Sequence, residues 1–128
     1  DKSKSDISYY EVNDRIGSPT FTDDLADLIL SMIDTAKYGT YHATNEGSCS
    51  RYDFVKDIIE ISGGSNYPKK ISSQNYKFAA KRPLNTVLSK ASLDIGGFKR
   101  LPEYRDAIRR CIKSWEADNQ AADKLFIQ

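Results

Sequence analysis

The side chains of this 128-residue chain that could do chemistry are suited to binding more than to bond-making. His42 is the only histidine, so neither a histidine-based catalytic triad nor a structural zinc site gains support. Cys49 and Cys111 lack metal-ligand spacing and form no CxxC pair. They read as two reduced thiols of a cytoplasmic protein, with a disulfide as the alternative. Gly63-Gly64 and Gly96-Gly97 are isolated pairs at expected helix ends, not a phosphate-cradling GxGxxG turn. What remains is polar and cationic. The turn from Asp14 to Pro19 carries Arg15, a glycine at Gly17 that permits close backbone approach, and the hydroxyls of Ser18 and, just beyond, Thr20. Farther on, Arg82 precedes Pro83, which stiffens the loop and helps fix the guanidinium's direction, and Asn85 offers an amide. Each has a plain structural alternative. Arg82 is equally compatible with a solvated cation beside Lys81, Asn85 with a loop cap, and the Arg15–Thr20 turn with a helix entry.

The elements that must position these groups follow from pattern. Ile7 to Val12 alternates partly and is rich in Tyr and Val, which predicts a strand. Thr22 is expected to cap a helix with Asp23 and Asp24 in its first turn and a stripe of Leu25, Leu28, Ile29, Met32 and Ile33, ended by Lys37 and Gly39. Gly39 to Asn45 reads as a second short strand; Asn45-Glu46 then follows a strand end, where open α/β sheets place ligands, or simply forms a turn. Ser50 with Asp53 suggests a capping box for a helix with Phe54, Val55, Ile58, Ile59 and Ile61 on one side, stopped by Gly63-Gly64.

Tyr67 to Tyr76 holds a short strand around Lys70-Ile71-Ser72, and Val87-Leu88 is strand-like. Ser89 is expected to cap a short helix closed by Gly96-Gly97. Pro102 suits the first position of a last helix with Tyr104, Ile108, Cys111, Ile112 and Trp115 inward, followed by a weakly amphipathic tail over 116–128. The order is α/β, mostly helical, with strands too few and short for a sheet of their own. Strands within 1–45 are therefore expected to belong to a larger parallel sheet, and their edges to pair with something, perhaps a second copy of the chain.

Composition narrows the partners. Lys and Arg number 19 against 18 Asp and Glu, a net charge of +1. That balance gives no electrostatic reason to expect nucleic acid or an anionic membrane. No apolar run approaches the ~20 residues of a membrane helix. Lys69-Lys70, Lys81-Arg82 and the stretch from Arg105 to Lys113 read as solvated faces.

Four blocks together resemble the dTDP-4-dehydrorhamnose reductases, an extended short-chain dehydrogenase/reductase family. They are Val12 to Thr22 with Asp24-Leu25-Ala26; Tyr38 to Gly47 with Cys49, Ser50 and Tyr52; Ala80 to Lys90; and Gly97 to Pro102 with the final helix. They stand in the family's order and span most of the chain. In such enzymes NAD(P)H reduces the 4-keto group of a dTDP-bound deoxyhexulose to give dTDP-L-rhamnose. The first block lies well past the middle of the family's chains, so the resemblance implies the C-terminal, substrate-side part of a Rossmann-type reductase, residues 1–128, with the cofactor-binding half missing. It is expected to be inactive alone.

The family's Gly-rich turn and catalytic Tyr-x-x-x-Lys pair are expected outside these residues. Tyr52 and Lys56 have that spacing but fall inside the second block, on a helix, and read as one inward Tyr and one solvated Lys. No catalytic, cofactor-binding or metal-binding residue is assigned. The resemblance implies that Arg82 and Asn85 meet the nucleotide diphosphate and that Arg15, Gly17, Ser18 and Thr20 face the sugar of a dTDP-sugar. Two positions depart from the family's habit: Arg15 stands where Gln is usual, and Phe21 where Tyr is usual. A regulatory, partner-binding relative and a nucleotide-sugar epimerase are the alternatives.

Overall fold

A computed structural model describes residues 9–75, 80 and 82–125, with side chains described through Ala117. Ile7, Ser8, Tyr76, Lys81 and the end of the tail, all part of the expectations above, lie outside the described residues. The chain folds as two compact units, Asp1–Gly17 with Cys49–Thr86 and Ser18–Ser48 with Val87–Gln128.

In the first unit, strand β1 (Tyr10–Val12) pairs in parallel with a later strand, Lys69–Ile71, in the register Tyr10↔Lys69 to Val12↔Ile71. Strand β2 (Ile16–Gly17) pairs antiparallel with β3 (Cys49–Ser50). Helix α2 (Arg51–Ile61) follows β3 directly and packs against β1 and β3; Lys69–Ile71 is then β4. The capping box is present: the Asp53 amide donates to Ser50 Oγ at 3.0 Å while the Ser50 amide donates to Asp53 Oδ2. At the other end Gly63, at φ 74°, lets the Gly63 and Gly64 amides reach the Glu60 and Ile59 carbonyls, a Schellman closure. Asp14 accepts from Ser72 Oγ and from the amide and hydroxyl of Ser73, fastening the β1–β2 turn to the 3₁₀ turn Ser73–Asn75.

The second unit is helical: α1 (Thr22–Ile33), α3 (Ala91–Gly96) and α4 (Tyr104–Leu125). Its core is Leu28, Leu93 and Leu101, covered by Leu25, Met32, Tyr41, Ala43 and Phe98. The Tyr41 and Phe98 rings meet edge to face at 5.3 Å.

Several expectations are corrected here. The α1 stripe is narrower than its spacing suggested: Leu25, Leu28 and Met32 face the core, while Ile29 and Ile33 are exposed. Thr22 is the first helical residue and not the cap; Phe21 occupies the cap position with no side-chain cap bond. Gly39 to Asn45 and Val87-Leu88 are loops, because strand propensity is realised only against a partner strand and the described residues of this unit form none. Lys90 and not Ser89 holds the cap position of α3, although Ser89 Oγ still accepts from the Ala91 amide at 3.4 Å. Helix α4 starts at Tyr104 and not at Pro102; the Glu103 carboxylate caps it by accepting from the Arg105 amide at 2.6 Å. Its inward face is Tyr104, Ala107 and Ile108, whereas Cys111 and Trp115 are exposed.

Candidate functional site

Ile16 is the hinge of the first candidate region. Its amide donates to the Leu84 carbonyl at 2.8 Å, and its carbonyl accepts from the Thr86 amide at 2.9 Å and the Thr86 hydroxyl at 3.1 Å. Ile16 therefore bridges Asn85 in parallel on one side and Ser50 antiparallel on the other. This ladder brings Arg15 and Gly17 beside Asn85, with Arg82 three residues upstream, although the sequence keeps them far apart. Arg15 is half-buried and Arg82 and Asn85 are exposed. A Cβ added at Gly17 would lie 3.0 Å from Thr86 Oγ1, so the glycine is what lets the two segments approach. A guanidinium-bearing residue beside this fixed edge and a second one at the start of the loop that reaches it are chemistry for an anionic ligand, since guanidinium presents a planar fork of donors to phosphate or carboxylate oxygens.

Ser18 and Thr20 belong to the second unit. Thr20 is exposed. Ser18 Oγ donates to the Gly47 carbonyl at 2.8 Å, which engages its proton and leaves its lone pairs. Three of the six expected residues, Arg15, Gly17 and Asn85, thus lie at one ladder; Arg82 lies three residues before it along the chain, and the other two form a turn whose surroundings are a polar network that the pattern of residues did not reveal.

At the centre of that network is Asn45, fully buried. Its Oδ1 accepts from the Phe21 amide at 2.8 Å, and its Nδ2 donates to Asp24 Oδ2 at 2.6 Å and to the Pro102 carbonyl at 2.9 Å. Buried Lys90 donates to the Asn45 carbonyl and to Glu46 Oε1, at 3.0 and 2.9 Å. Arg110 grips both Asp24 oxygens at 2.7 Å and adds Asp106 at 2.9 Å, with the Phe21 ring 5.3 Å below its guanidinium carbon. The Asp106–Arg110 pair has readable i, i+4 spacing on α4. The reading of Arg105 to Lys113 as a purely solvated face is corrected: Arg110 is half-buried and tied to α1. Asp24, expected to serve the α1 dipole, is buried under it.

The electrostatics agree with the geometry. The Arg110 guanidinium, then the Asn45 amide, hold the Asp24 carboxyl below the usual carboxylate range, against the opposing effect of burial. Asp24 and Asp106 raise Arg110 further above its ordinary value. Hydrogen bonds from Ser72 and Ser73 likewise lower Asp14. Every one of these charges has a partner, which marks the network as scaffold and not as a poised acid or base. Among the described residues no three His, Cys, Asp or Glu side chains converge as a metal site, and no helix is long and apolar enough to cross a membrane.

Residues 2–117 match the family described as the RmlD substrate binding domain. The chain belongs to this family. A spore coat polysaccharide biosynthesis protein, SpsK, of Bacillus subtilis is 34% identical over 102 residues, covering 80% of this chain and 35% of that protein. Among solved structures, a dTDP-4-dehydrorhamnose reductase from Clostridium acetobutylicum superposes with a TM-score of 0.81 at 31% identity, over 85% of this chain and 39% of that one. A dTDP-4-dehydrorhamnose reductase from Bacillus anthracis, solved in complex with NADP, gives a TM-score of 0.74 at 35% identity, over 80% and 36%.

This RmlD-type domain thus spans about a third of the length of the relatives it matches, and its fold is that part of a Rossmann-type reductase. The NADP belongs to the Bacillus anthracis protein, and the described residues here do not fit such a group. Gly63 and Gly97, at φ 74° and 70°, close the ends of α2 and α3. One amide at the start of each of α1 and α2 is already taken, Phe21 by Asn45 and Asp53 by Ser50. Among the described residues no Gly-rich turn opens a helix to cradle a dinucleotide pyrophosphate.

Proposed function

We propose that this domain is the substrate-side part of a reductase acting on a dTDP-linked 4-keto-6-deoxyhexose, and that its own task is to hold the nucleotide diphosphate. The observation that carries the reading is the ladder at Ile16, which sets Arg15 and Gly17 beside Asn85, in the loop that Arg82 begins, within a substrate-binding-domain family. The diphosphate carries two negative charges on tetrahedral phosphates, whose oxygens the planar donor fork of guanidinium can meet in pairs, as ammonium does not. Arg82 is assigned to that charge and Asn85 to the nucleotide. In the same reading Ser18 and Thr20 offer hydroxyls to the sugar. A nicotinamide cofactor held outside this chain would supply the hydride. The domain alone therefore binds without turning substrate over, in the cytoplasm where nucleotide sugars are made.

Arg82→Ala tests the assignment. A lost charge-assisted contact corresponds to about tenfold in affinity. Titration of the 128-residue chain with dTDP, followed by amide shifts, should show that weakening; an unchanged dissociation constant would sink the role of Arg82.

A further inference from the structure

The geometry points to residues Asn45–Gly47 as a positioning platform that holds the Ser18–Phe21 turn in shape for its ligand, with Asn45 as the principal positioning residue. The inference rests on the reading that this turn meets the sugar of a dTDP-sugar. Two clamps, three residues apart, fasten the turn to the platform: Ser18 Oγ to the Gly47 carbonyl at 2.8 Å, and the Phe21 amide to Asn45 Oδ1 at 2.8 Å. Pro19 and Thr20 form the span between them. Pro19 has its φ fixed by its ring, so few backbone torsions in that span stay free. Thr20 is left exposed at the tip.

The platform itself is held from several sides. The Glu46 amide donates to the Pro102 carbonyl at 2.9 Å, and the Tyr104 amide donates to the Glu46 carbonyl at 3.0 Å. Lys90 holds the Asn45 carbonyl. Gly47 sits at φ 84°, and a Cβ there would meet Glu103 Oε1 at 2.8 Å and the Tyr104 ring at 2.9 Å, so the chain passes where only glycine fits. A buried Asn whose three side-chain bonds reach Phe21, Asp24 and Pro102 cannot rotate without breaking them together. The turn is thereby preorganised, which lowers the ordering cost of binding.

The role separates from simple stability because dTDP lacks the sugar. With the wild-type chain, dTDP-rhamnose should bind several-fold more tightly than dTDP. Ser18→Ala removes one clamp at a partly exposed site and should abolish that gain while leaving the melting temperature nearly unchanged; because Ser18 also stands at the sugar, the clamp itself is read from amide exchange. In the same variant the Phe21 amide should exchange with solvent several-fold faster, with Leu28 and Leu93 unaffected. Asn45→Asp sets a carboxylate against both Asp24 and the Pro102 carbonyl, and should lose Phe21 protection together with the gain from the sugar. A Ser18→Ala chain that keeps the full preference for dTDP-rhamnose overturns the inference. So does an Asn45→Asp chain in which the Phe21 amide stays protected and the preference for dTDP-rhamnose is kept. A wild-type chain that binds dTDP but gains nothing from the sugar overturns the reading of the turn, and one that ignores both ligands overturns the reading of the whole domain.

Discussion

Replacing Arg110 by Met keeps the aliphatic stem over Phe21 and removes the charge that meets Asp24. The Asp24 side chain is 7% exposed and accepts two bonds of 2.7 Å from Arg110, whose own side chain is 38% exposed. Removing one partner of a fully buried pair costs roughly 3–5 kcal/mol. Solvent reaches this Arg, and Asn45 still donates to Asp24 after the change, so the loss at neutral pH should be about 2 kcal/mol. For a domain of this size that is about 6–10 °C in melting temperature.

The dependence on pH has a definite sign. Asp24 is held below its unfolded value, chiefly by the bonds from Arg110. Its contribution is complete above an unfolded value of about 3.9 and is lost as pH falls through the lower folded value. In the variant the carboxylate lacks that support, so the gap between the two proteins should be full at neutral pH and shrink in acid. Thermal unfolding followed by circular dichroism at several pH values reads both quantities. A gap that stays constant into strong acid, or one below about 0.5 kcal/mol at neutral pH, the range of ordinary surface substitutions, would refute the reasoning.

Three further outcomes follow from the same geometry. Ser50→Ala removes the α2 cap and should cost about 1 kcal/mol in denaturant unfolding; no measurable change would mean that Asp53 alone satisfies that helix end. Gly47→Ala must take a strained φ and push against Glu103 and Tyr104, and should cost about 1–3 kcal/mol, visible as a lower melting temperature. Exposed Cys111 should react with a thiol reagent in the folded chain at a rate near that of a free thiol, whereas buried Cys49 should react only on unfolding; equal rates would contradict the burial of β3.

The elements that rest on local chemistry were legible in the sequence. The Ser50–Asp53 box, the Gly63-Gly64 and Gly96-Gly97 helix ends, and the helices over 22–33 and 51–61 follow from short-range rules that tertiary packing did not override. The boundaries that failed depend on distant neighbours. Thr22 has the right type for a cap, but Asn45, far along the chain, satisfies Phe21 instead. Gly39 to Asn45 has strand composition without a partner strand in its unit. Ile29, Ile33, Cys111 and Trp115 sit at plausible helical spacings yet lie outside the narrow stripe that packing covers.

The candidate site divides the same way. The residue types of Arg82 and Asn85 marked them as candidates for a ligand, and Gly17 marked a close approach, which its contact with Thr86 bears out. That Asn85 and Gly17 meet at one ladder is a pairing that no periodicity encodes. Asn45 looked like a turn residue, and nothing local marks it as fully buried; the only written hint was the i, i+4 pair of Asp106 and Arg110.

The central proposal is that this RmlD-type domain holds a nucleotide diphosphate beside the Ile16 ladder and does not itself hold the nicotinamide cofactor. Titration of the isotope-labelled 128-residue chain with dTDP and, separately, with NADPH tests it most directly. The account predicts weak, saturable shifts from dTDP at Arg15–Gly17 and Leu84–Thr86, reduced by Arg82→Ala, and no saturable response to NADPH. Firm NADPH binding, or dTDP shifts that avoid the ladder, would contradict it.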